Sequence, residues 1–199
     1  MARAVIISAL PTRKPIEILP SDFVIACDMG YKRAKEAGIK PDLVIGDFDS
    51  LQFTPDFQNI IKLPVKKDDT DTGYAINYAI DKGYRDIAVY GALGGLIDHT
   101  IASVQLAAGA SKKGINITFF EDKSALYAVT NGKLTLNCNN KRFSVFAIDE
   151  CSGVTIKNAE FCLFDGTLTP FMPLGVSNKQ KDNTEIEVQN GTIVVLSYI

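Results

Sequence analysis

The chain has 199 residues, 46% of them apolar and 22% charged, with a formal net charge of −2. That composition can bury the core of one large domain or two small ones. It excludes the strongly basic face that a nucleic-acid partner needs, and no apolar run reaches the ~18 residues of a membrane span.

The elements read in chain order as follows. The opening "MARAVIISALPTRKP" meets Pro11, Arg13 and Lys14 early, so "AVIIS" (4–8) reads as a first strand rather than a secretory signal. Further β-branched runs follow at "FVIAC" (23–27), "DLVIG" (42–46), "IIKLP" (60–64), "DIAVYG" (86–91) and "NITFF" (116–120). Helical spacing appears between them at 31–38, stopping at Gly38, at 70–83, stopping at Gly83, and at 98–114, closed by Lys112, Lys113 and Gly114. Strands alternating with helices imply crossover connections and a largely parallel sheet, and the unbroken apolar runs fit strands covered on both faces. Beyond residue 121 the rhythm changes. "SALYAVTNGKLTLNC" (124–138) predicts a hairpin turning at Asn131-Gly132, and a second Asn-Gly turn is predicted at Asn190-Gly191. The expected fold is therefore an N-terminal, Rossmann-like α/β domain over 1–121 followed by an all-β sandwich over 122–199.

Cys27, Cys138, Cys151 and Cys162 lie far apart without a C-x-x-C, which argues against a zinc knuckle or a disulfide scaffold. They read as free thiols in a reducing cytoplasm. His99 is the only histidine, and no G-x-S-x-G accompanies it, so a serine-hydrolase triad finds no support.

Ligands of open parallel sheets bind outside the carboxyl ends of the strands. Four of the predicted strands deliver acid there: Asp28 after "FVIAC", Asp47 and Asp49 after "DLVIG", Asp68, Asp69 and Asp71 after "IIKLP", and Asp98 with His99 after "DIAVYG". Several of these have simpler readings. Asp98 can cap its helix, Thr70 or Asp71 can cap the one before it, and Asp28 can shape a turn at Gly30. Asp47 and Asp49 resist such an account, because two like charges ~5 Å apart repel by about 3 kcal/mol at an effective dielectric of about 20. A hard divalent cation such as Mg²⁺ reverses that cost. Gly91, Gly94 and Gly95 before a helix start let backbone N–H groups approach an anion, and Lys66 and Lys67 add positive charge beside the acids. With no G-x-x-x-x-G-K-[ST], this is not a P-loop. The residues by themselves point to Mg²⁺-dependent chemistry on a polyphosphate.

The ordered segments "CDMGYKRAKEAGIKPD", "PDLVIGDFDS", "KKDDTDT" and "GGLIDHTIAS", followed by "GVTIKNAEFCLFDGTL" and "GVSN", resemble the thiamine pyrophosphokinase family along nearly the whole chain. The resemblance implies transfer of pyrophosphate from ATP to the hydroxyl of thiamine, giving thiamine diphosphate and AMP. It also implies a homodimer in which one subunit's α/β half meets the other's β half around thiamine. By resemblance Asp47, Asp49 and Asp71 are the metal ligands, and Asp98 orients or deprotonates the thiamine hydroxyl. Asp28, Gly30, Lys67, Asp68, Gly94, Gly95 and His99 fall to the nucleotide, and Ser177 and Asn178 to thiamine or its loop. Three positions depart from the family pattern: Leu96 replaces an arginine, Met29 replaces a glycine beside Asp28, and Ile156 stands where an aromatic residue often stacks on thiamine. Ile156 is expected to pack on the pyrimidine instead, and Phe161 and Phe164, at strand spacing, are expected in the core. The altered positions leave two alternatives, a pyrophosphokinase for another alcohol such as a pterin, and a non-catalytic binder of ATP or thiamine.

Overall fold

A computed structural model describes residues 2–51, 53, 55–137 and 141–198. The fold is mixed α/β and dominated by sheet, and its residues cluster into two compact units, 1–103 with 115–122, and 104–114 with 123–199. The segment 104–114, expected with the first half, clusters with the second.

In the first unit the strands are β1 (Ala4–Ile7), β2 (Phe23–Cys27), β3 (Leu43–Gly46), β4 (Ile60–Lys62), β5 (Asp86–Tyr90) and β6 (Asn116–Phe120). They pair in the order β6-β5-β1-β2-β3-β4, and every one of these pairings is parallel. The central residues of β1, β2, β3 and β5 are buried, as the unbroken apolar runs require, while edge strand β4 is only partly buried. Helix α1 (Gly30–Glu36) follows β2 and α2 (Asp71–Asp81) follows β4. Both stop at the predicted glycines. Gly38 and Gly83 take positive φ, while Ile39 N–H bonds Ala34 C=O and Tyr84 N–H bonds Ala79 C=O, each closing the last turn. Thr70 is the N-cap of α2, its hydroxyl accepting Gly73 N–H at 3.0 Å, so Asp71 is left free of that duty. Helix α3 (Ile97–Lys112) begins after the glycine loop. The core of this unit packs Val5, Ile7, Val24, Ala26, Ala34, Ala88 and Tyr90.

The second unit is built on antiparallel strands: β7 (Ser124–Leu136), β8 (Arg142–Ala147), β9 (Cys151–Ala159), β10 (Leu163–Leu168) and β11 (Gly175–Tyr198). Neither Asn-Gly pair makes a hairpin. β7 runs straight through Asn131-Gly132, and β11 runs through Asn190-Gly191. The two sites lie opposite each other in one ladder. The register passes from Val188–Gly132 to Thr192–Thr130, so three residues of β11 face Asn131 alone, and Asn131 Oδ1 accepts Gly191 N–H at 2.9 Å. Asn131 (φ 48°) and Gly191 (φ 107°) supply the backbone conformations of a bulge rather than of a turn. The core collects Phe143, Val145, Val154, Ile186, Ile193 and Val195 from β8, β9 and β11.

Cys27 and Cys151 are buried free thiols and Cys162 is an exposed one, while Cys138 lies outside the described residues. Burial pushes the Cys27 thiol up, which leaves it inert at neutral pH. Among the described residues no helix is long and apolar enough to cross a membrane.

Candidate active site

Because the strands of the first unit are parallel, their carboxyl ends share one edge, and the loops leaving that edge carry the acids. Two close backbone approaches shape it. Gly46, last residue of β3, lies so near the end of β2 that a Cβ there would stand 3.1 Å from Asp28 Cα, and Asp28 N–H bonds Ile45 C=O at 2.9 Å. Gly30 opens α1 against β1, where a Cβ would fall 1.9 Å from Ile7 O. Its role in the structure is thus close packing beneath the Asp28 loop.

Between Asp47 and Asp49, Phe48 takes φ 64° and is buried with Val44 and Leu51. A bulky residue in the left-handed region costs of order 1–3 kcal/mol, and burial of the ring against its own cluster offsets it. With Phe48 pinned, Asp47 and Asp49 are delivered together, and Asp28, itself at φ 45°, joins them. One carboxylate oxygen from each of Asp28, Asp47 and Asp49 lies within 4.8 Å of the other two. Asp28 is only 7% exposed, and its Oδ1 is buried without a hydrogen-bond partner among the described residues. Burial pushes its carboxyl above the usual range, the charges of Asp47 and Asp49 push it further, and bonds from Ser50 and Met29 N–H oppose them.

Lys67 ties this trio to Asp71. Its ammonium pairs with Asp47 Oδ2 and stands 3.0 Å from Asp71 Oδ1. The hydrogen bond from Lys67 holds Asp47 below the ordinary carboxylate range, whereas burial carries Asp71 above it despite the same lysine. The two shifts differ in sign because burial outweighs the lysine at Asp71, and the negative charges of Asp47 and Asp28 add to it.

Of the residues singled out from sequence, Asp28, Asp47, Asp49, Lys67 and Asp71 thus form one connected group, with Asp28 rather than Asp71 in the tightest trio. Asp68 is exposed beside it. Gly94 and Gly95 lie exposed in the loop after β5, and exposed Asp98 and His99 begin α3, where Asp98 Oδ1 accepts His99 N–H at 2.8 Å. Leu96 is exposed in the same loop. Met29 is right-handed (φ −55°), so the glycine it replaces is not needed for the backbone here; Asp28 takes the positive φ instead.

Sequence reasoning missed the surroundings of the trio. A cleft of about 710 Å³ is lined by Met29, Tyr31, Lys32, Lys35, Ser50 and Phe53, among others. Its Met29 and Ser50 adjoin Asp28 and Asp49 in the chain, and the Ser50 hydroxyl donates to Asp49 Oδ1 at 3.1 Å. The pairing of Ser50 with the acids had a sequence signal in its adjacency; the lysines of α1 had none. A second crevice of about 250 Å³, lined by Leu10, Pro11, Thr12, Leu93, Gly94 and Asp122 among others, opens where β1 and β5 adjoin and the strand order reverses.

In the second unit two expectations are corrected. Ile156, expected against a ligand ring, is 3% exposed and packed in the apolar core of that unit, because its position on β9 faces inward. Phe161 and Phe164, expected in the core, are 65% and 68% exposed: Phe161 lies in the bend between β9 and β10, and Phe164 lies on β10, whose register shifts against β9 break strict alternation. Asn178 spends its amide on the chain itself: Oδ1 accepts Phe161 N–H at 3.0 Å and Lys179 N–H at 2.8 Å, and Nδ2 donates to Phe161 C=O at 2.6 Å. Ser177 sits at φ 62°, its N–H on the Ser144 hydroxyl.

Residues 17–119 match the family model of the thiamin pyrophosphokinase catalytic domain. The thiamine pyrophosphokinase of Bacillus subtilis is 26% identical over 165 residues, which are 78% of this chain and 77% of that one. The fold is similar to the crystal structure of the Bacillus subtilis thiamine pyrophosphokinase, with TM-score 0.85 at 20% identity over 100% of this chain and 99% of that one. It is also similar to thiamin pyrophosphokinase from Candida albicans, with TM-score 0.75 at 14% identity over 99% of this chain and 88% of that one. With the acid-lined edge and more than half of its length matched to the catalytic-domain model, this chain belongs to the thiamin pyrophosphokinase family.

Proposed function

We propose that the protein transfers pyrophosphate from ATP to the hydroxyl of thiamine, releasing thiamine diphosphate and AMP. The observation that carries the site assignment is the trio Asp28, Asp47 and Asp49, with one buried Asp28 oxygen left unpartnered. Leaving a buried carboxylate oxygen unsatisfied costs about 1–3 kcal/mol or more, so it belongs with a ligand. An all-carboxylate donor set suits Mg²⁺. Asp28, Asp47 and Asp49 would hold the ion, with Asp71 within reach through the Lys67 bridge. When bound, Mg²⁺ supplies neutralisation of the phosphate oxygens.

The remaining work falls to the chain's own residues. The hydroxyl oxygen of thiamine forms a bond to the β-phosphorus of ATP, and the bond from that phosphorus to the oxygen bridging to the α-phosphate breaks, so AMP leaves. The proton of the hydroxyl passes to the carboxylate of Asp98. The lysines and the Gly94–Gly95 backbone orient the phosphates, since phosphoryl transfer is mainly positioning and charge stabilisation. Lys67 and the exposed Lys66 would supply the positive charge lost with the arginine that Leu96 replaces. The crevice at the strand-order switch would take the nucleotide, with Asp68 before α2 and His99 in the first turn of α3 as its further contacts.

The same reading extends to the architecture: a Rossmann-like α/β domain over 1–121 carries the nucleotide and metal, and a β-sandwich over 122–199 carries thiamine. It is a cytoplasmic homodimer with active sites shared between subunits. The exposed Phe161, Phe164 and Phe171 support a second copy covering them. Incubation with ATP, thiamine and Mg²⁺ followed by chromatography should give AMP and thiamine diphosphate in equal amounts. ADP as the sole nucleotide product would refute the proposal.

A further inference from the structure

Lys67 lies in the connection between β4 and α2, and its side chain is only 9% exposed. Its ammonium is shared between Asp47 and Asp71, while the other oxygen of Asp47 accepts Asp49 N–H at 3.2 Å. Asp47 is a member of the acid trio, so both of its oxygens are engaged before any divalent cation arrives. Among the four carboxylates of Asp28, Asp47, Asp49 and Asp71, the Lys67 ammonium pairs with two, Asp47 and Asp71.

We propose that the Lys67 ammonium is a resident counter-ion of this cluster, holding Asp47 and Asp71 together in the metal-free protein and yielding Asp47 when a divalent cation enters. The inference rests on the Mg²⁺ reading of the site given above. Its physical basis is competition. A doubly charged ion placed among these acids competes with Lys67 for Asp47 Oδ2 and is repelled by the ammonium a few ångströms away. Lysine suits this exchange better than arginine, because it is a compact charge on a flexible four-carbon stem without a rigid fork to unmake. Once displaced, the same ammonium is free to meet the phosphate oxygens that arrive with the metal. The lysine is therefore a positioning residue, which keeps mutually repelling acids preformed and limits how tightly the metal binds alone.

The test measures two quantities that a merely structural lysine would move together. Mn²⁺ is titrated into metal-free protein and followed by the loss of free-ion electron paramagnetic resonance signal, and the melting temperature is recorded in chelator. In Lys67→Met, the Mn²⁺ Kd should fall about tenfold or more, as expected for removing a unit charge near a divalent ion. The metal-free melting temperature should fall by about 3 °C, since the acids lose their counter-ion. Lys67→Arg, which keeps the charge, should leave the Kd within about threefold of wild type, and Lys67→Gln repeats the test should the methionine variant not fold. Wild-type protein that binds Mn²⁺ while Lys67→Met binds it no more tightly overturns this inference alone. Wild-type protein that binds no Mn²⁺ overturns the metal reading and the inference with it.

Discussion

Asp28→Asn offers the sharpest test of whether the acid trio is held against its own repulsion. The substitution preserves shape and removes one charge. Its two neighbours present oxygens within 4.8 Å, a distance at which each pair repels by about 0.9 kcal/mol in water and about 3.5 kcal/mol at an effective dielectric of about 20. The bonds from Ser50 and Met29 N–H return part of that, leaving an expected gain of about 1–3 kcal/mol for the variant in chelator. For a chain of this size that is a rise in melting temperature of about 3–8 °C. The pH dependence follows from the raised carboxyl. Below the ordinary carboxylate value of about 4, Asp28 is protonated in folded and unfolded chains alike, and variant and wild type melt together. Above it the unfolded chain ionises first, so wild type loses stability as pH rises until the raised folded value is passed, and the gap then stays constant. Differential scanning calorimetry across that range in chelator, repeated in excess Mg²⁺, measures both effects; Mg²⁺ should raise the wild type and leave the variant nearly unmoved. A variant that melts below wild type at neutral pH in chelator would refute the reasoning.

Two further outcomes are expected. Gly30→Ala places a methyl 1.9 Å from Ile7 O, backbone that cannot step aside, so it should destabilise by more than about 3 kcal/mol and be seen as insoluble or low-melting protein. Asp22, whose carboxylate is buried on Arg3 at 2.7 Å and also accepts Leu19 N–H, is held below the usual carboxylate range by those bonds, which outweigh its burial. Its contribution is present above pH ~4 and is lost as pH falls through the lowered folded value, so Asp22→Asn should destabilise at neutral pH and converge with wild type in acid denaturation.

Much of the first unit was legible in the sequence because its signals are local. Apolar runs such as "AVII" and "FVIAC" are buried on both faces wherever they sit in a parallel sheet, and Gly38 and Gly83 stop helices by their own backbone freedom. Parallel order then puts Asp28, Asp47 and Asp49 on one edge without further information. What was not legible depended on partners distant in sequence. Asn131-Gly132 has the letters of a turn, but the choice between turn and bulge was made by β11, whose own Asn-Gly pair faces it across the ladder. Phe164 escaped strand parity because β10 slips register against β9, and Ile156, expected at a ligand from the resemblance alone, packs inward with Val154 on β9. Lys67 is four residues before Asp71, yet its stronger partner is Asp47, twenty residues earlier, which no spacing rule reaches.

The buried, left-handed Phe48 has a consequence for attempts to move or rebuild this site. A pair of aspartates copied onto another strand end would splay unless the spacer between them were also forced over and plugged into apolar surroundings like those of Val44 and Leu51. Substitutions among those hydrophobic neighbours should therefore be felt as misaimed carboxylates as well as lost stability, which makes a greasy plug, rather than any acid, the hidden hinge on which the aim of the aspartates turns.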